Sequence, residues 1–123
     1  MHIQLETPDS NTIRSYTNEC ITVGSAIYKH SVIISRDSII SPWLIDSIQE
    51  LNETHLQEAL ALKPEIIIIG HQQPKRHLPM AAMAYLSQRH VGIECMSIGA
   101  ASRTFNVLLS ERRNVVAGMI FSL

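Results

Sequence analysis

Five residues have side chains and spacing suited to holding a negative or polar group: His71, Gln72, Arg76, Arg103 and Asn106. The first three belong to the stretch Gly70-His71-Gln72-Gln73-Pro74-Lys75-Arg76-His77, between an apolar run and the start of a helix. Loops at the carboxyl ends of strands in α/β sheets are the usual ligand positions. The next helix start offers free backbone N–H groups and positive potential. Arg103 and Asn106 are three apart, so on a helix they are surface neighbours. A guanidinium there is a planar fork for a carboxylate or phosphate. If the two flanking strands are parallel, both connections leave one edge of the sheet, and all five residues share a neighbourhood. Each also has a plainer reading. The loop can be a solvated basic connection, Asn106 a loop cap, and Arg103 an ion-pair partner for Glu94 or Glu65.

Other chemistry finds less support. The sequence has no G-x-G-x-x-G and no G-x-x-x-x-G-K-[ST], so dinucleotide and P-loop binding are not indicated. His71 and His77 are six apart, and no cysteine or carboxylate completes a zinc spacing. A thiolate nucleophile needs positive surroundings and a histidine in reach. Strand geometry does not place His90 against Cys95, which reads as a core cysteine. Ser31 and Ser41 lack a nucleophile-elbow context. We therefore assign no catalytic residue, no metal ligand and no cofactor. Nothing in the chain amounts to a convincing catalytic site.

The elements that must position these residues fall into two parts of one domain, 1–123. Residues 12 to 41 alternate β-branched residues with turn groups such as Gly24-Ser25 and Arg36-Asp37-Ser38. They predict an antiparallel meander or hairpins, closed by Pro42-Trp43, as an N-terminal part of 1–43. From Thr54 the period changes. Thr54-His55-Leu56-Gln57 is a capping-box pattern, and Pro64 stops the helix it opens. Four consecutive isoleucines, Ile66 to Ile69, predict a strand covered on both sides. Pro79 opens a helix to about Arg89, and Val91 to Met96 reads as a strand. Ile98, Ala101, Phe105, Leu108 and Leu109 mark one helical face. Val115 to Phe121 is apolar on both faces, as in a central strand. Residues 64–123 are thus β-α-β-α-β, with a right-handed first crossover. The fold class is α/β: a three-layer domain with a central mixed sheet, helices packed on it and N-terminal antiparallel hairpins. Ile67, Ile68, Ile93, Phe105, Leu108 and Val116 are the expected core.

Composition narrows the function classes. The chain has 123 residues, 46% hydrophobic and 17% charged, which suits a folded domain rather than disorder. A net charge of −1 provides no overall basic field for nucleic acid. No apolar run approaches the roughly 20 residues of a membrane span, and Met1 to Glu6 lacks a signal-peptide plan. We expect a cytoplasmic protein without membrane insertion, with Cys20 and Cys95 unpaired. Trp43, Tyr85 and the methionines read as core, a subset of them as a partner surface.

Three segments resemble one small α/β family. They are Val23-Gly24-Ser25-Ala26-Ile27-Tyr28 through Ile34 with Trp43, then Leu62-Lys63-Pro64-Glu65 through Gly70 with Pro79. The third is Gly92-Ile93-Glu94-Cys95-Met96 leading into Ala100 to Leu108 and Glu111-Arg112-Arg113. In this order they are similar to the family that includes the adipogenesis-associated Mth-domain protein and the mitochondrial complex I assembly factor three. The resemblance implies a three-layer domain around a mixed sheet and no established enzyme activity. It implies an accessory or assembly role through an unidentified protein partner, and leaves a homo-oligomer open. The sequence departs from the family where Gly70-His71-Gln72 replaces a frequent Gly-Thr-Gly. Ser102 and Phe105 stand where cysteine and tyrosine are frequent. These changes remove a backbone cradle and any thiol chemistry from that helix, favouring a scaffold. The alternative is a small-molecule or anion-binding domain, or an unrecognised enzyme, using a pocket between the Gly70–Pro79 loop and the Arg103 helix.

Overall fold

The isoleucine run organises the molecule. In the computed structural model, which describes residues 10–73 and 77–121, the run lies in β6 (Ile66–His71). It is flanked by β8 (Val115–Met119) and β7 (Gly92–Ser97), both parallel to it. The sheet continues from β8 through antiparallel β4 (Val32–Ile34) to β5 (Ile39–Ile40), giving the order β5-β4-β8-β6-β7. Alternate isoleucines serve opposite faces. Ile67 and Ile69 pack with Trp43, Ile48, Leu56 and Leu86. Ile68 packs with Ile98, Ala101 and Phe105. Helices α1 (Glu53–Leu60) and α2 (Met80–Ser87) cover the first face, and α3 (Ile98–Ser110) covers the second.

Residues 12–41 divide between two sheets, a three-stranded antiparallel meander and a hairpin. β1 (Ile13–Tyr16), β2 (Ile21–Val23) and β3 (Ala26–Tyr28) form a separate antiparallel sheet. Its Ile13, Ile21 and Val23 join the α3 cluster. The following hairpin, β4–β5, is the part that joins the main sheet. The division follows from β4, whose three residues are all buried and need cover on both sides.

Three expectations are corrected. The capping box of α1 is built by Asn52 and His55, not by Thr54 and Gln57. Asn52 Oδ1 accepts from the Thr54 and His55 amides at 2.9 and 3.3 Å, and His55 Nδ1 accepts from the Asn52 amide at 3.2 Å. Asparagine caps as well as threonine, and an imidazole nitrogen can take the reciprocal acceptor role. Secondly, β6 runs two residues past the isoleucines, which puts His71 on the strand end instead of in a loop. Thirdly, Ile93 and Leu108 are only half-buried, because β7 is an edge strand and Leu108 lies on the flank of α3. Ile67, Ile68, Phe105 and Val116 are buried as expected. β8 lets Trp43 close: a Cβ on Gly118 would stand 2.6 Å from the Trp43 ring.

Candidate functional site

The two crossovers leave the sheet in opposite directions. The helix that follows β6, α2, lies on one face of the sheet, and the helix that follows β7, α3, lies on the other. A crevice must open between neighbouring strands whose connections part in this way. A cleft of about 480 Å³ lies there. It is lined by His71 and Gln72 from the end of β6, by Cys95, Met96 and Ser97 from the end of β7, by His77 and Leu78 before α2, and by Asn18. The register that opposes His71 to Ser97 sets its floor.

His71 is 7% exposed. Its Nδ1 accepts from the Gln73 amide at 3.1 Å, so the neutral ring carries its proton on Nε2. Burial lowers its pKa and keeps the ring uncharged. Burial also pushes the Cys95 thiol up to about 11, so the cleft holds a thiol and not a thiolate nucleophile. Ser97 is the N-cap of α3, and its Oγ accepts from the Ala100 amide at 3.2 Å. Among the described residues, no group of three or more histidines, cysteines and carboxylates could hold a metal ion.

The five residues singled out from the sequence do not all meet here. His71 and Gln72 line the cleft together, and Arg76 lies outside the described residues. Neither Arg103 nor Asn106 is among the cleft lining. Arg103 Nη1 donates to Tyr16 Oη at 2.6 Å. Neither acid expected for Arg103 holds it, and Glu65 pairs with Arg113 instead. Asn106 binds the backbone of β1, donating to Ile13 O and accepting from Ile13 N, both at 2.9 Å. It lines a different depression, with Thr12, Arg36 and Ser110. His77 and Leu78 belong to the Gly70–Pro79 loop expected to wall a pocket, whereas Asn18, Cys95, Met96 and Ser97 were not foreseen in the cleft. The Ser97-x-x-Ala100 spacing at the start of the last helical face was a readable cap signal for one of them. Ser102 is fully buried, and its hydroxyl donates to Ile98 O at 2.9 Å within the helix.

A second feature lies on α2. Its sequence Met80-Ala81-Ala82-Met83-Ala84-Tyr85-Leu86-Ser87 carries no charge. Ala82, Tyr85 and Leu86 face the core, whereas Met80, Ala81, Met83, Ala84 and Ser87 are exposed, Met80 at 85%. A helix that is apolar all round ordinarily has cover on every side.

The sequence from residue 13 to residue 120 matches a family described as "Protein of unknown function (DUF498/DUF598)". The chain belongs to this family. The "13 kDa major membrane protein" of Francisella tularensis subsp. holarctica is 32% identical over 89 residues, 72% of each chain. Among the described residues of the present chain, no helix is long and apolar enough to cross a membrane. The "NADH dehydrogenase [ubiquinone] 1 alpha subcomplex assembly factor 3" of Xenopus tropicalis is 28% identical over 100 residues. The match takes in 72% of this chain and 55% of the assembly factor, so the chain spans about half of that relative. The solution structure of a Xanthomonas campestris protein superimposes with a TM-score of 0.82 at 31% identity, covering 98% of this chain and 92% of the other. A Bordetella pertussis protein described as a Mth938-like domain shares the fold. Its TM-score is 0.82 at 22% identity, with 100% of this chain and 96% of the other covered. The DUF498/DUF598 assignment and the three-layer mixed sheet agree with the resemblance read from the sequence.

Proposed function

We propose that this DUF498/DUF598 chain, acting as one domain over 1–123, is a non-enzymatic accessory protein of the assembly-factor kind. It works in the cytoplasm by binding another protein. The observation that carries this reading is the exposed, uncharged face of α2, with Met80 and Met83 on it. Methionine side chains are flexible and polarisable, and they adapt to apolar surfaces of a partner. An exposed apolar patch on a folded domain marks an interaction site. The names of the assembly-factor relatives support the same reading. The partner should present an apolar helix or strand face, because α2 offers it neither charge nor a backbone edge.

The test is affinity capture from native lysate of the source cells, with mass spectrometry, using the parent chain and Met80→Glu/Met83→Glu. Both side chains are exposed, so the pair should change stability by less than about 0.5 kcal/mol each. A specific protein held by the parent and lost by the folded double variant supports the proposal. Undiminished capture by the double variant overturns it. The small-molecule alternative is favoured by a different feature, the cleft beyond β6 and β7.

A further inference from the structure

We infer that the crevice at the carboxyl ends of β6 and β7 binds a carboxylate carried on a short apolar chain. The inference goes beyond the accessory role and does not rest on it. Three independent features converge on the crevice. The topology opens it, because the connections after β6 and β7 go to opposite faces of the sheet. Ser97, which lines it, begins the thirteen-residue helix α3. Ser97 Oγ takes the Ala100 amide, while the Ile98 and Gly99 amides lack intrahelical acceptors, and the helix start carries a positive potential equivalent to roughly half a charge. Finally, a buried polar side chain in the wall is only half satisfied. With Nδ1 taken by the Gln73 amide, His71 presents a Nε2–H donor that has no acceptor among the described residues, at 7% exposure.

The chemistry of the wall selects the ligand. Its described polar lining can donate: the Gln72 and Asn18 carboxamides, which also accept, His71 with its unpaired Nε2–H, and Ser97 at the α3 start. Among the described residues that line it there is no Asp or Glu to repel an anion. One carboxylate matches neutral donors and a helix end. Leu78, Met96 and the protonated Cys95 supply the apolar contact for the chain that bears it.

Hexanoate is a suitable probe, with hexanamide and inorganic phosphate as controls, followed by NMR on the uniformly labelled full chain. Hexanoate should produce saturable shifts at the Gln72, Ser97 and Gly99 amides and at the His71 ring. Hexanamide should bind at least about 10-fold more weakly, since it lacks the charge that the donors select. Leu78→Glu puts a like charge at the wall and should weaken hexanoate about 10-fold or more, with the rest of the amide spectrum unchanged. Met80→Glu/Met83→Glu should leave hexanoate binding as it is, which separates this inference from the proposed partner surface. Absence of saturable shifts, equal binding of hexanamide, tighter binding of phosphate, or indifference to Leu78→Glu each overturns the assignment. A tripeptide with a free or an amidated C-terminus distinguishes the two sources of such a group. Tighter binding of the free tripeptide than of hexanoate identifies a chain terminus, and the reverse order identifies a small acid.

Discussion

Burial gives His71 a pH signature in the stability of the whole protein. The folded state lowers its pKa below the ordinary 6.5. The unfolded chain therefore takes up a proton at a pH where the folded chain still resists it. Stability rises with pH wherever the unfolded state binds more protons. The His71 contribution is thus complete above about pH 6.5. It declines as the pH falls below that value towards the folded pKa. Urea midpoints at pH 7.5 and 5.5 should show a larger acid loss in the parent than in His71→Gln. Equal losses would mean that the ring is not desolvated. The place of His71 and Gln72 at the carboxyl end of a central strand was legible, because a buried strand must end in a connection at the sheet edge. Arg103 and Asn106 were not separable from them, because helical spacing shows only that two residues are neighbours. The groups that engage Arg103 and Asn106 are Tyr16 and Ile13, 87 and 93 positions away. No local pattern announces a partner at that distance.

At the level of elements, Asn106 ties the small sheet to α3. Its amide group satisfies both the N–H and the C=O of Ile13 at the start of β1. Removing it leaves two partly buried backbone groups without partners, each able to cost about 1–3 kcal/mol if water cannot reach it. Asn106→Ala should therefore destabilise the protein by about 1–3 kcal/mol in denaturant unfolding. Faster hydrogen exchange should concentrate in β1 and β2. Arg103→Ala, which removes an exposed contact to Tyr16, should cost less than about 1 kcal/mol. A reversed order of the two would place the anchor of the small sheet at Arg103. The main elements could be read because each has a strong period or an unbroken apolar run: β6, β8 and the buried face of α3. The split of residues 12–41 could not be read. Short strands of three and two residues carry too little pattern to say which sheet they join. Nor could the edge position of β7, whose half-exposure depends on strand order and not on its own residues.

At the scale of the whole molecule, two hydrophobic clusters lie on opposite sides of one sheet. They share the same strands residue by residue. In β6, Ile68 belongs to one cluster and Ile67 and Ile69 to the other. In β8, Ala117 and Met119 alternate with Val116 in the same way. Neither face can be exposed without releasing β6 and β8, and their release exposes the other face. The chain has a single tryptophan, and Trp43 sits in the α1/α2 cluster against Gly118 of β8. Phe105 is fully buried in the α3 cluster on the far side. Phe105→Ala should cost about 2–5 kcal/mol through lost burial and a cavity. Although Trp43 does not belong to the Phe105 cluster, its fluorescence should report the whole loss. In both the parent and the variant, the Trp43 midpoint in urea should coincide with the far-UV circular dichroism midpoint, as expected of one cooperative unit. A Trp43 transition that stays at the parental midpoint while the dichroism shifts would show the two faces unfolding separately. The interleaved isoleucines of β6 would then not couple them.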